Sequence, residues 1–148
     1  MKPVVKVIIA LVVLGLIVWG LTALAPVDEE AAAPAGPIKI GFIGPLTGDA
    51  ANIGQNAKAA VEIAVAEVNV AGGVNGQLVE VIYEDGQCNG QEAVNAANKL
   101  INVDQVAVIL GGACSGETAA FAGLAEQTQT PVLSYCSSAP NISTAGDY

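Results

Sequence analysis

Val106-Ala-Val-Ile-Leu110, running into Gly111-Gly-Ala-Cys-Ser115, is the stretch that decides the fold: a short apolar run that breaks into glycines, a cysteine and a serine. The same design stands on either side of it. Val79-Glu-Val-Ile-Tyr83 leads into Glu84-Asp-Gly-Gln-Cys88, and Pro131-Val-Leu-Ser134 leads into Tyr135-Cys-Ser-Ser-Ala-Pro140. Helical patterns separate the three runs, so the strands are parallel and their polar tails gather along one edge of one sheet. In open α/β sheets that edge is where ligands bind.

Working outward, Pro37-Ile-Lys-Ile-Gly-Phe-Ile43 reads as a first strand buried on both faces. Apolar residues at Ala57, Val61, Ala64 and Val68 predict a helix packed on the sheet, ended by the glycine-rich Ala71-Gly-Gly-Val-Asn-Gly76. Asn89, with Glu92 three residues on, has the form of a capping box opening a second helix with Val94, Ala97 and Ile101 inward. A third helix is expected from about Ser115 to Thr128, with Ala120, Phe121 and Leu124 inward, and a fourth strand from Pro131 to Ser134. Right-handed crossovers make this an α/β, doubly wound, Rossmann-like sheet of order 2-1-3-4. The chain then stops in the loop Asn141-Ile-Ser-Thr-Ala-Gly-Asp-Tyr148, with no helix to cover that sheet edge, and so reads as an incomplete lobe.

Before the domain, Val7 to Ala25 carries no charged residue, and as a helix it nearly matches a bilayer core of about 30 Å. Lys2 and Lys6 precede it and Asp28, Glu29 and Glu30 follow, which keeps the amino terminus in the cytoplasm and sends the remainder outside. Ala23-Leu-Ala25 has the small-x-small form of a signal-peptidase site, but Pro26 follows it and the run exceeds the roughly 7–15 residues of a usual signal core. Residues 1–25 are therefore expected to be a retained membrane anchor, with a cleaved signal sequence as the alternative. Residues 26–37, including Ala31-Ala-Ala-Pro-Ala-Gly-Pro37, read as a linker, and 38–148 as the outer domain.

The formal net charge is -9, and the chain has neither histidine nor arginine. Beyond the apolar segment only Lys39, Lys58 and Lys99 face all fourteen acids, which excludes the basic footprint that nucleic acid requires. Without histidine the usual general base and the commonest metal ligand are missing, and neither a metal nor a cofactor is expected.

Ser115 falls where a strand ends and a helix starts, so its hydroxyl and the first free backbone N–H groups can address one anion, such as a carboxylate. The plainer alternative is that Ser115 caps its own helix, at the N–H near Glu117 or Thr118. Ser137 and Ser138 follow strand four and offer hydroxyls and carbonyls that suit an ammonium group, or else form an ordinary serine-rich turn before Pro140. The two loops together could hold both ends of a zwitterion. Three cysteines allow three pairings in an exported domain.

These residues resemble the extracytoplasmic solute-binding proteins of branched-chain amino acid ABC transporters, the type I periplasmic leucine/isoleucine/valine-binding proteins. The matching stretches are Ile38-Lys-Ile-Gly-Phe-Ile-Gly-Pro-Leu-Thr-Gly48, Ala71-Gly-Gly-Val-Asn-Gly76, Tyr83-Glu-Asp85 with Cys88, Gly111-Gly-Ala-Cys-Ser115 and Ser138-Ala-Pro140. The resemblance implies part of lobe 1 of a two-lobe receptor, without catalytic activity, that captures an amino acid and delivers it to a permease in the same membrane. It implies that Ser115 binds the ligand carboxylate, that Cys136 contributes a main-chain carbonyl, and that the Ser138 hydroxyl helps hold the ammonium. Ile53 stands near a position that is often aromatic in the family and forms part of the side-chain wall. The resemblance also supports a Cys88–Cys114 disulfide, both residues lying in loops on one sheet edge, with about 3 kcal/mol of stabilisation in the chain-entropy picture. Cys136 is left over and reads as a small buried residue with an inert thiol.

Two other readings fit parts of the chain. A membrane-tethered sensor could use the same lobe for signalling. Gly112-Ala-Cys-Ser-Gly116 fits a G-x-C-x-G elbow that would make Cys114 a hydrolase nucleophile, although no histidine exists to activate it.

Overall fold

Buried apolar side chains and close-packed glycines draw the first strand into the interior: in β1 (Ile38–Gly44) the last four residues are all buried. In the computed structural model, which describes residues 36–146, β1 is one of the two central strands of a four-stranded sheet. The expected anchor or signal sequence at residues 1–25, and the linker up to residue 35, lie outside the described residues. β2 (Val79–Asp85), β3 (Val108–Leu110) and β4 (Val132–Leu133) complete the sheet in the order β2-β1-β3-β4. Every pairing is parallel, with Ile38 opposite Val79, Phe42 opposite Leu110 and Ile109 opposite Val132. The expected strand order and the α/β class are therefore those observed.

α1 (Ala51–Val70) follows β1, α2 (Gly90–Lys99) follows β2, and α3 (Ser115–Thr128) follows β3. Asn89 caps α2 as the sequence suggests, its side-chain oxygen accepting the N–H groups of Gln91 at 2.8 Å and Glu92 at 3.2 Å. A π-helical turn at Leu100–Asp104, closed by Gln105 in the left-handed conformation, separates α2 from β3. That turn shortens the strand expected from Val106.

The main core lies between the sheet and the α2–α3 layer and contains Ile43, Ala93, Ala96, Ala97, Leu100, Val106, Ile109 and Phe121. The inward stripes of α2 and α3 hold in large part: Ala97 and Phe121 are buried in the core as expected, Val94, Ile101 and Leu124 pack against it, and Ala120 departs. α2 buries Ala93, Ala96 and Ala97, while Val94 and Ile101 only flank the core. α3 buries Thr118, Phe121 and Ala125, whereas Ala120 turns sideways against Gly90 of α2. Small residues set these stripes, because α2 and α3 pack closely against each other as well as on the sheet. α1 buries only Gly54; Ala57 and Val61 are half-buried, Ala64 is exposed and Val68 is 37% exposed. Its flank opens onto an apolar groove of about 230 Å³ lined by Ala57, Ala60, Val61, Leu110, Leu133 and Tyr135, so only one side of the helix meets the sheet. Under α1 an aromatic row crosses the sheet, Tyr83 and Tyr135 flanking Phe42 with ring centroids 5.4 Å and 5.7 Å away. Lys58 sits over the Tyr83 ring at 4.9 Å.

Candidate ligand-binding site

The carboxyl ends of the four strands lie side by side, and the loops that leave them are tied together by polar side chains. Asp85, at the end of β2, accepts the N–H of Leu46 at 2.8 Å, the N–H of Gln87 at 3.0 Å and the Thr47 hydroxyl, which anchors the β1–α1 loop to the β2–α2 loop. Partial burial pushes its carboxyl up, but these hydrogen bonds from Thr47, Leu46 and Gln87 outweigh it and hold the group below the ordinary aspartate value of 3.8. A carboxyl depressed on folding adds stability above its unfolded value, and that contribution disappears as the pH falls through the lower folded value. Asp85→Asn is accordingly expected to flatten the acid limb of the stability curve below about pH 4, as read from urea midpoints across the acid range.

The second knot gathers on Gly112. Its N–H donates to Thr118 Oγ1 at 3.0 Å, and its carbonyl accepts the hydroxyls of Ser134 at 2.8 Å and Ser137 at 3.1 Å. Thr118 and Ser137 share a 2.8 Å hydroxyl contact, and the Ser137 N–H donates to Ser134 Oγ at 3.1 Å. With Ser137 donating to the carbonyl, Thr118 is the donor to Ser137, and every proton in the ring has an acceptor. The Ser137 hydroxyl thus faces inward and holds the β4 loop against the start of α3.

Ser115 is the first residue of α3, with Cys114 as the cap residue, so it does not cap its own helix. Its Oγ instead accepts the N–H groups of Ser138 and Ala139, each at 3.1 Å, from the loop after β4. Both hydroxyl lone pairs are thereby engaged, and what remains is a proton to donate. The N–H groups of Ser115 and Gly116 open the helix where no intrahelical acceptor exists. Ser138 and Cys136 are exposed at the surface of the adjoining loop. The expectation that Cys136 is buried does not hold: it is an exposed free cysteine, because β4 ends at Leu133 and the chain that follows is an irregular loop. Ile53 is 43% exposed on the first turn of α1.

Cys88 and Cys114 form a disulfide with Cα atoms 5.4 Å apart, so Cys114 has no thiol to act as a nucleophile and the hydrolase elbow is ruled out. Glu117, which the sequence marks only as a backbone N–H that Ser115 could cap, is fully buried beneath this bridge. Its spacing from Cys114 matches the N3 position of a capping box, the one signal that could have drawn attention to it. Tyr135, stacked on Phe42, has its hydroxyl pushed up to about 12 by burial and by the nearby acidic groups of Glu117 and Cys136, so it stays neutral at the sheet edge. Among the described residues no cluster of potential metal ligands occurs.

A sheet of this order with helix N-termini and polar loops at its carboxyl edge is the architecture of a ligand-binding lobe. The periplasmic binding protein family model matches residues 37–147, and the chain belongs to that family. It is 38% identical over 110 residues to the leucine-, isoleucine-, valine-, threonine- and alanine-binding protein of Pseudomonas aeruginosa, a match covering 74% of this chain and 29% of that protein. The Leu/Ile/Val-binding protein of Escherichia coli K12 is 29% identical over 109 residues, with the same coverage. Among solved structures, the isoleucine complex of the branched-chain amino acid transporter substrate-binding protein of Streptococcus pneumoniae superposes with a TM-score of 0.73 at 31% identity, covering 76% of this chain and 32% of that one. A solute-binding protein of an ABC transporter from Rhodopseudomonas palustris, in complex with 3,4-dihydroxybenzoic acid, superposes with a TM-score of 0.68 at 27% identity, covering 74% and 30%. The chain thus spans about three-tenths of the length of these relatives.

Proposed function

We propose that this protein is the extracytoplasmic solute-binding receptor of an ABC transporter, capturing an amino acid of the branched-chain type, or a similar small carboxylate, and handing it to a membrane permease. The observation that carries the reading is the state of Ser115: its oxygen accepts two backbone N–H groups, which leaves its proton to be donated, beside the first N–H groups of α3, which have no intrahelical acceptor. Ser115 takes the ligand carboxylate, while the Cys136 carbonyl and the Ser138 hydroxyl hold the ammonium. Ser137 serves by fixing the loop that carries them. Residues 1–25 act as the anchor or export signal, 26–37 as the linker and 38–148 as the part of lobe 1 present in this chain. The ligands of the similar structures, isoleucine and 3,4-dihydroxybenzoic acid, each carry a carboxyl group, which supports carboxylate recognition at this edge.

Calorimetric titration of the full chain with leucine, isoleucine, valine and 3,4-dihydroxybenzoate, alongside leucine methyl ester, tests this. Saturable binding of at least one acid, with loss of affinity of about tenfold or more for the ester, is the expected outcome. Equal binding of leucine and its ester would overturn carboxylate recognition.

A further inference from the structure

Glu117 is 0% exposed on the first turn of α3, and the proposed capture of ligand does not use it. Its Oε1 accepts the N–H of Cys88 at 3.0 Å, and its Oε2 accepts the N–H of Cys114, also at 3.0 Å. A methyl group at Gly86 or at Gly112 would collide with this side chain, so two glycines leave room for one acid. A carboxylate is costly to bury unless its oxygens are hydrogen-bonded, and here each has an amide aimed at it. Those two amides belong to the two half-cystines of the disulfide. The β2–α2 loop is therefore joined to the start of α3 twice, once covalently and once through Glu117.

We infer that Glu117 is a positioning residue for the ligand site, a non-covalent clamp parallel to the Cys88–Cys114 bridge that keeps Ser115 in its binding geometry when the bridge is reduced. Cys114 immediately precedes Ser115, and Gly112, which gathers Ser134 and Ser137, packs against Glu117. Releasing this corner shifts both halves of the site together. With both clamps present either one suffices, and only the loss of both frees the helix start. Glutamine cannot replace the acid, because its one oxygen leaves the second amide facing an NH₂ group.

This inference rests on the receptor reading for its affinity readout, so a second readout is independent of ligand. Wild type and Glu117→Gln, as the full chain, are titrated with leucine before and after reduction by a phosphine, and amide hydrogen exchange is followed across residues 112–118. Reduction is expected to weaken leucine binding less than threefold in wild type and at least ten times more in Glu117→Gln, with exchange across the segment rising in step. The clamp is overturned if wild type alone loses more than tenfold on reduction, or if reduction affects the two proteins equally. Should oxidised wild type fail to bind leucine, the receptor reading falls, while exchange in the reduced proteins still decides the clamp.

Discussion

Ser115→Ala is expected to weaken leucine binding by about 10- to 100-fold, the loss that accompanies removal of one hydrogen bond to a charged group. The substitution deletes the donor aimed at the ligand and also the acceptor of two backbone N–H groups, from Ser138 and Ala139. That second loss falls on a partly exposed loop where water can replace the acceptor, so the stability cost is about 1 kcal/mol. Ser115→Thr keeps the hydroxyl and is expected to retain most of the affinity. Calorimetry with leucine, alongside thermal melts of the same samples, separates the two effects. Unchanged affinity in Ser115→Ala would remove this residue from the site, whatever the melting temperature did.

How much of this could be read in advance depends on how distinctive each residue is. The strands were legible because runs such as Val106-Ala-Val-Ile-Leu110 are apolar and end abruptly in glycine, and parallel order follows from the intervening helices. The helix faces were legible only in part, Ala97 and Phe121 being buried as expected, since α1 and α3 are rich in alanine and glycine and offer little contrast between inner and outer positions. Ala120 and Ala125 are chemically identical, yet one faces α2 and the other the core. Only the third dimension distinguishes them.

At the site, Ser115 was visible because a strand-to-helix junction is a local feature, and its neighbours lie within a few residues. Its actual partners, 23 and 24 residues away, were not. The ring around Gly112 is hidden for the same reason: it joins Thr118 to Ser134 and Ser137, and serine-rich turns give no sign of which hydroxyl turns inward. Glu117 was missed because glutamate is almost never fully buried unless paired, and its partners here are backbone amides, which carry no sequence signature.

Gly111→Ala is expected to be the most damaging single methyl addition at this edge. Gly111 has φ of 145°, a conformation that L-residues rarely adopt, and a Cβ there would run into the backbone of Ile43 in β1. The obstacle is main chain, so no side chain can rotate out of the way. Relief requires parting β3 from β1, which would break the pairing of Phe42 with Leu110. Backbone strain of about 1–3 kcal/mol and a similar overpacking cost together approach the whole stability of a small domain. Gly123→Ala gives the opposite sign. That glycine lies within α3 with nothing within 4 Å of an added Cβ, so helix propensity alone acts and favours alanine by about 1 kcal/mol. Urea denaturation followed by circular dichroism should move the two midpoints in opposite directions from wild type. A Gly111→Ala midpoint at or above wild type would mean that the β1–β3 contact yields easily, and the rigid edge on which Ser115 depends would have to be abandoned.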